Sequence, residues 1–177
     1  CAIGGFCIEG ATSVALCAAG SFGDVIELSS QEGCSSCPPG HHCPAGSTAP
    51  VPCAAGAFST ASGAGECVLC AAGKYQGSKG QTACDECTAG GYCPAGAVAP
   101  TLCSAGSYSG AAGNDEVGDC ADCPIGSYCA LGAIAPTPCA AGAYSNASGA
   151  QEARRKLLDK RGVLLHSPRD SISTLGQ

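Results

Sequence analysis

Aromatic residues recur along this chain at one fixed distance from cysteine. Nine elements have the pattern Cys-x-x-Gly-x-aromatic; all eight aromatic residues occupy its last position, and a histidine fills that position in the ninth element. We call this position the aromatic slot, and its occupants are Phe6, Phe22, His42, Phe58, Tyr75, Tyr92, Tyr108, Tyr128 and Tyr144. Every cysteine is also followed, three residues later, by a glycine or another cysteine. The pattern predicts one small structural element copied along the chain.

Turn-forming residues separate the apolar positions into short stretches. Gly-x-aromatic-Ser followed by glycine-rich sequence predicts short two-stranded hairpins, and the glycine of each element supplies a backbone conformation needed in tight turns. The nine-residue connectors at 44–52, 94–102 and 130–138 predict extended, proline-punctuated segments near polyproline II. Residues 25–28 (VIEL) predict a strand, and residues 152–165 predict a short amphipathic helix.

Composition leaves little bulk for a hydrophobic core. The 177 residues include 27 Gly and 17 Cys, with 5% aromatic content and neither Trp nor Met. Small domains that cannot bury enough apolar surface use disulfides instead. We therefore predict a small disulfide-rich fold, mostly irregular with short β-hairpins, arranged as a linear array of tandem cysteine-rich units that forms an elongated rod.

The spacing of the cysteines sets the predicted boundaries of these units. Cysteine-rich repeats are expected at 1–36, 37–69 and 87–122, with a half repeat at 70–86 and an incomplete repeat at 123–153. Residues 154–177 form a divergent basic tail without cysteine. Because no signal peptide is visible and the chain begins at a cysteine rather than Met, we expect it to be a mature fragment or part of a larger protein.

The inserted half repeat suggests a pairing scheme for the cysteines. Residues 70–84 form a self-contained half repeat with two cysteines, and its insertion without disturbance to the neighbours favours a bond between these two cysteines. Applied throughout, this scheme pairs consecutive cysteines: Cys1–Cys7, Cys17–Cys34, Cys37–Cys43, Cys53–Cys67, Cys70–Cys84, Cys87–Cys93, Cys103–Cys120 and Cys123–Cys129. A crossed scheme, first to third and second to fourth, stays open because sequence alone does not fix connectivity.

Charge and cysteine content narrow the class of protein. Residues 1–150 carry eleven acidic residues against two lysines, Lys74 and Lys79, whereas residues 151–177 carry six basic and three acidic residues. An acidic body without arginine argues against nucleic-acid binding. So many cysteines persist as disulfides only in an oxidising compartment, and no apolar stretch is long enough to span a bilayer. We expect an extracellular, cell-surface location.

Three stretches of the sequence resemble a known module. CPPGHHCPAGSTAPVPCAAGAFS, CTAGGYCPAGAVAPTLCSAGSYS and CPIGSYCALGAIAPTPCAAGAYS are similar to the ephrin-receptor-like cysteine-rich repeat, and the resemblance covers residues 1–150. Long arrays of such repeats occur in large surface proteins of algae and other protists, including shaft components of mastigonemes, the hairs on flagella. The resemblance implies hydroxylation and O-glycosylation at some of the connector prolines Pro50, Pro52, Pro100, Pro136 and Pro138.

Two clusters of possible metal ligands are interpreted as structural. His41 and His42, with Cys34, Cys37 and Cys43, superficially resemble a zinc cluster. The repeat places His42 in an aromatic slot and the cysteines in the framework of every unit, so no metal and no cofactor are expected. The acidic residues of two longer loops offer oxygen ligands but match no calcium loop, which favours solvated loops; they are Asp24, Glu27, Glu32, Asp115, Glu116 and Asp119.

The repeat breaks near residue 153. Cys139 opens an element whose closing cysteine is expected at 153, where Ala153 stands. Three interpretations stay open: an error in the sequence beyond about residue 152, a genuine terminal peptide in which Arg154-Arg155-Lys156 is a processing or contact site, or pairing of Cys139 with a second chain. Asn146-Ala147-Ser148 is an N-glycosylation sequon in the exposed part of a predicted hairpin.

The sequence shows no nucleophile–base pair or phosphate-binding loop, so we predict no enzymatic activity. The leading hypothesis is a structural extracellular glycoprotein that forms or coats a cell-surface filament, with a flagellar mastigoneme as the specific case. Its expected partners are other copies of itself or other filament proteins, and glycans, with no nucleic acid and no membrane insertion of this segment. The alternative is the stalk of a cell-surface receptor or surface antigen that presents a binding domain encoded elsewhere. A secreted enzyme that carries these repeats as an appendage is a third class.

Overall fold

A computed structural model describes residues 1–155 of the chain, and most of the amphipathic helix expected at 152–165 and most of the basic tail lie outside them. Nine two-stranded antiparallel hairpins follow one another in the described residues. They pair Gly5–Phe6 with Ala15–Leu16, Ser21–Phe22 with Ser35–Ser36, His41–His42 with Val51–Pro52, Ala57–Phe58 with Val68–Leu69, Lys74–Tyr75 with Asp85–Glu86, Gly91–Tyr92 with Thr101–Leu102, Ser107–Tyr108 with Ala121–Asp122, Ser127–Tyr128 with Thr137–Pro138, and Ala143–Tyr144 with Arg154–Arg155.

Each hairpin is one copy of the repeat. Its first strand ends at the aromatic slot, and its second strand, which we call the return strand, ends just before the next element begins. We call each such segment a half-unit and name it by its first cysteine: Cys1, Cys17, Cys37, Cys53, Cys70, Cys87, Cys103, Cys123 and Cys139. The predicted disulfide-rich fold with short hairpins is confirmed; the elongated rod stays a prediction.

Two local expectations were wrong. The nine-residue connectors are not extended throughout: residues 45 and 46 turn, and Val51–Pro52 form a return strand. Proline is tolerated there because the strand lies at the edge of a two-stranded sheet and needs no N–H donor on its outer side. Residues 25–28 form no strand; Glu27 has a left-handed φ of 66°, which interrupts extended backbone, and a 3₁₀ helix follows at Gln31–Gly33. A second 3₁₀ helix spans Val117–Asp119.

The last hairpin crosses the boundary predicted for the tail. Arg154–Arg155 is the return strand of the half-unit that begins at Cys139, with Tyr144 opposite Arg154. The repeat therefore continues two residues beyond the predicted limit at 153, because backbone pairing does not require the missing closing cysteine. This also places the first residues of the expected helix at 152–165 in a hairpin instead.

Disulfides form most of the buried interior. The largest fully buried side chains of the described residues are all cysteines, and the only other buried hydrophobic residue among them is Ala57. The aromatic slots are half-buried, and many larger aliphatic side chains are exposed, such as Leu69 and Ile125. The repeat thus relies on sulfur and backbone contacts rather than on a packed aliphatic core.

Backbone hydrogen bonds join neighbouring half-units in the same way in two compact units of the chain. The first unit contains Cys1–Leu102 with Ala111–Asp119, and the second contains Cys103–Gly110 with the chain from Cys120 onward. In the first unit, Gly20 N–H donates to the Cys43 carbonyl (2.8 Å) and Gly46 N–H to that of Cys17 (2.9 Å). In the second, Gly106 N–H donates to Cys129 (2.8 Å) and Gly132 N–H to Cys103 (2.9 Å).

Glycines also allow contact between half-units that are two apart. Gly40, with a φ of 76°, lies so close to Gly80 that a Cβ at position 40 would overlap the Gly80 carbonyl oxygen. The same approach occurs between Gly106 and Gly149 in the second unit. A side chain is excluded here both by the left-handed backbone and by the neighbouring backbone. Two different glycine positions of the repeat thereby form one interface.

Candidate functional site

The structure has eight disulfides, and each joins consecutive cysteines. Their Cα–Cα distances lie between 5.6 and 5.9 Å, within the usual range. The pairs are those of the nearest-neighbour scheme and none follows the crossed scheme. Cys139 is free and half-buried. Its expected partner position, residue 153, lies directly before the return strand Arg154–Arg155.

An aromatic slot lies beside the disulfide of the following half-unit. Phe58 and Cys84 line one groove together with Val68, so the ring of one half-unit is next to the Cys70–Cys84 bridge of the next. In the preceding half-unit, the slot residue His42 lines a groove together with Cys67, which is disulfide-bonded to Cys53. In these two half-units the slot residue thus shares a groove with a cysteine of the following half-unit's disulfide, and apolar contact between ring and sulfur is favourable.

His42 makes a polar contact that the phenylalanine slot cannot make. Its Nδ1 lies 3.3 Å from Cys67 Sγ. Cys53 Sγ, Cys67 Sγ and a ring nitrogen of His42 all lie within 4.8 Å of one another. Among residues 1–155, these three side chains form a group of atom types that can bind a metal ion. Ala45, Ala57 and Glu66 line the same groove. We call His42, Cys53 and Cys67 the histidine–disulfide cluster.

The zinc-like residues of the sequence are not assembled as a zinc site. Cys37 and Cys43 bond each other and Cys34 bonds Cys17, so none of these three offers a thiolate. His41 Nδ1 lies 3.1 Å from the carbonyl oxygen of Pro39 in its own turn. The histidine–disulfide cluster instead takes its two cysteines from the next half-unit. Sequence reasoning missed it because it compared His42 only with the cysteines beside it in the chain.

The acidic loops are exposed, and one carboxylate caps its own loop. Asp119 accepts hydrogen bonds from the backbone N–H groups of Asp115 (2.9 Å) and Glu116 (3.3 Å). The N–H of Asp115, followed by that of Glu116, holds the pKa of Asp119 below its usual range, since both bonds favour the charged form. The carboxylates at 24, 27 and 32 are likewise exposed. This arrangement uses carboxylate charge to order a turn.

The predicted glycosylation positions differ in exposure. Asn146 is exposed near the tip of the last described hairpin, where Ser145 Oγ donates to the Ala147 carbonyl (3.0 Å) and fixes the turn. The connector residues Pro50, Pro100 and Pro136 are half-buried, whereas Pro52 and Pro138 are exposed on return strands. Among these prolines, modification is sterically easiest on the return strands. Glycosylation at each position stays a prediction.

Comparison with known proteins is consistent with this architecture. Residues 56–103 match the family model described as tyrosine-protein kinase ephrin type A/B receptor-like. No curated protein matches the chain. Residues 1–155 include no helix long and apolar enough to cross a membrane. The disulfides and the receptor-type repeat together indicate an extracellular or cell-surface protein. Residues 56–103 are thus an ephrin-receptor-like cysteine-rich repeat within a tandem disulfide-bonded array.

Proposed function

We propose that this chain is a structural, non-catalytic component of a filament or coat at the cell surface. The observation that carries the proposal is the repeated bonding of the half-units. Each is closed by its own disulfide, with the exception of the half-unit that begins at Cys139, and neighbours are joined by the same backbone hydrogen bonds in both units. Such an array transmits force through covalent loops and backbone contacts rather than through a core that must unfold together.

The disulfides also explain how the chain stays folded with so small a hydrophobic core. A closed loop of about 15 residues contributes on the order of 3 kcal/mol by restricting the unfolded chain. The first unit has loops with sequence separations of 14 and 17 residues, for example Cys53–Cys67 and Cys17–Cys34, and the second unit has one of 17 residues, Cys103–Cys120. A series of independently closed loops suits an extended structural element, because damage to one loop does not remove the others.

Lateral contacts in the proposed filament use exposed apolar side chains. Leu69 is 65% exposed and Ile125 69% exposed, which leaves most of each side chain available to a partner. We propose other copies of this chain, or other filament proteins, as those partners, with glycans on Asn146 at the surface. A mastigoneme shaft is the specific filament that the sequence resemblance favours.

Concentration-dependent assembly tests the proposal. Small-angle scattering and electron microscopy of the oxidised chain should show elongated particles that associate side by side as concentration rises. The double variant Leu69→Ser/Ile125→Ser should weaken association at least about tenfold, whereas Ala72→Ser/Ala130→Ser, at exposed alanines, should not. Compact monomers at every concentration would overturn the structural role.

The similarity of residues 56–103 to a repeat of ephrin-type receptors favours a second candidate function. In this alternative the array is the stalk of a cell-surface receptor or surface antigen and holds a separate binding domain away from the membrane. Sequencing the complete transcript distinguishes the two functions. A ligand-binding domain together with a membrane anchor supports the stalk, whereas further repeats without an anchor support the filament.

A further inference from the structure

One aromatic slot differs chemically from all the others. His42 replaces a phenylalanine or tyrosine, and its Nδ1 lies 3.3 Å from Cys67 Sγ in the neighbouring half-unit. The next half-unit provides an internal comparison, because Phe58 lies in a groove with Cys84. Both disulfides close loops with a sequence separation of 14 residues. The imidazole thus replaces a phenyl ring at the equivalent position, and the two grooves also differ in charge, with Glu66 in the first and Lys74 in the second.

We propose that the histidine–disulfide cluster is a redox-gated site for a soft divalent cation, with Zn²⁺ as the ion it fits best. In the oxidised chain the two sulfurs bond each other and cannot act as thiolate ligands. A dithiol reductant breaks the Cys53–Cys67 bond, becomes a disulfide itself and leaves two cysteine thiols. Zn²⁺ then binds both sulfurs and His42 and displaces two protons. This inference is independent of the filament proposal.

The geometry of the cluster suits tetrahedral zinc. Zn–S bonds of about 2.3 Å and Zn–N bonds of about 2.0 Å place donor atoms roughly 3.5–3.8 Å apart. The His42 nitrogen is already 3.3 Å from Cys67 Sγ, and all three donor atoms lie within 4.8 Å of one another. Reduction needs to separate only the two sulfurs, which then move apart to the distance that zinc requires.

The surroundings favour a bound ion over two free thiols. Cys53 is fully buried, while Cys67 and His42 are half-buried beside a groove lined by alanine. Two thiols there would restore no link across the loop, whereas zinc would close the same loop that the disulfide closed. Two sulfurs and one nitrogen leave the fourth position open toward the groove, which Glu66 also lines. The site thus replaces one cross-link by another under reducing conditions.

Limited reduction with and without zinc tests the proposal. The full chain carries Cys139→Ser, which removes the free thiol, and is equilibrated in a dithiol/disulfide redox buffer, so that reduction of the protein disulfides is reversible, with zinc in excess over the dithiol or with a chelator. Exposed thiols are then alkylated after metal removal and located by peptide mass spectrometry. Zinc should raise the alkylated fraction of Cys53 and Cys67 at least about fivefold over a chelator control, with no change at Cys70 and Cys84, because it traps the reduced form.

A reciprocal exchange of slot residues supplies the matched variants. His42→Phe, which restores the common slot residue, should abolish the zinc response at Cys53 and Cys67. Phe58→His should create a similar response at Cys70 and Cys84. Native mass spectrometry of the partly reduced parent should show one bound zinc. An equal zinc response at both disulfides, or a response that survives in His42→Phe, would overturn the proposal.

Discussion

Replacement of Gly40 by alanine tests the contact between half-units two apart. Alanine at a φ of 76° costs about 1–2 kcal/mol because the left-handed region brings Cβ against the backbone. The added Cβ would also overlap the Gly80 carbonyl oxygen, and relief of such overpacking costs a further 1–3 kcal/mol or so. We expect Gly40→Ala to destabilise its half-unit by about 2–5 kcal/mol.

Gly126→Ala provides a matched control. Gly126 has a φ of 84°, but a Cβ there would meet no heavy atom of the described chain within 4 Å. Its backbone hydrogen bond corresponds to that of Gly40. The Gly126 carbonyl accepts from Cys139 N–H, and the Gly40 carbonyl accepts from Cys53 N–H, both at 2.9 Å. Gly126→Ala should therefore lower the stability of its half-unit only by the cost of the left-handed backbone, about 1–2 kcal/mol.

Amide hydrogen exchange in the oxidised protein measures the difference locally. The Cys53 amide should exchange roughly 30-fold or more faster in Gly40→Ala, and the Cys139 amide about tenfold faster in Gly126→Ala, since each 1.4 kcal/mol is about a factor of ten. Equal acceleration in the two variants would show that only the left-handed backbone matters and that the approach to Gly80 carries no energy.

Three further predictions concern single elements of the repeat. Ala153→Cys should form a ninth disulfide with Cys139 and stabilise the last hairpin by about 3 kcal/mol, whereas Ala147→Cys should leave two free thiols in a mass-spectrometric thiol count. Phe58→Ala should cost about 2–3 kcal/mol in denaturant unfolding and Phe58→Tyr less than about 1 kcal/mol, because tyrosine fills equivalent slots. The pKa of Asp119 is lowered in the folded state, so the carboxylate stabilises the loop fully above pH 3.8, the ordinary pKa, and this stabilisation is lost as pH falls through the folded-state pKa. The NMR chemical shift of the Asp115 amide should therefore titrate with a midpoint below 3.8. This pH dependence should vanish in Asp119→Asn.

The sequence predicted the parts of the fold that follow from local chemistry. Gly40 and its equivalents adopt the left-handed backbone expected three residues after cysteine, and the glycine-rich loops form the expected hairpins. The half-unit that begins at Cys70 suggested the local pairing seen in the structure. These features depend on a few adjacent residues, so one sequence contains enough information to predict them.

The features that were missed depend on neighbours in space. The connector at 44–52 was predicted as a proline-punctuated segment near polyproline II, yet Pro52 pairs in a strand because the edge of a two-stranded sheet accepts proline. The approach of Gly40 to Gly80 depends on how successive half-units stack, which the period alone does not specify. The contact of His42 with Cys67 arises from that stacking as well. In a repeat array, an unusual residue is best compared with the units before and after its own.

The disulfide map of the unreduced protein tests the central claim most directly. Elastase cleaves after small residues such as those between successive cysteines, and peptide mass spectrometry then identifies the linked pairs. The account predicts eight pairs of consecutive cysteines and a free or intermolecularly bonded Cys139. Pairs of the crossed type, such as Cys37 with Cys53, would contradict a chain built from independently closed half-units.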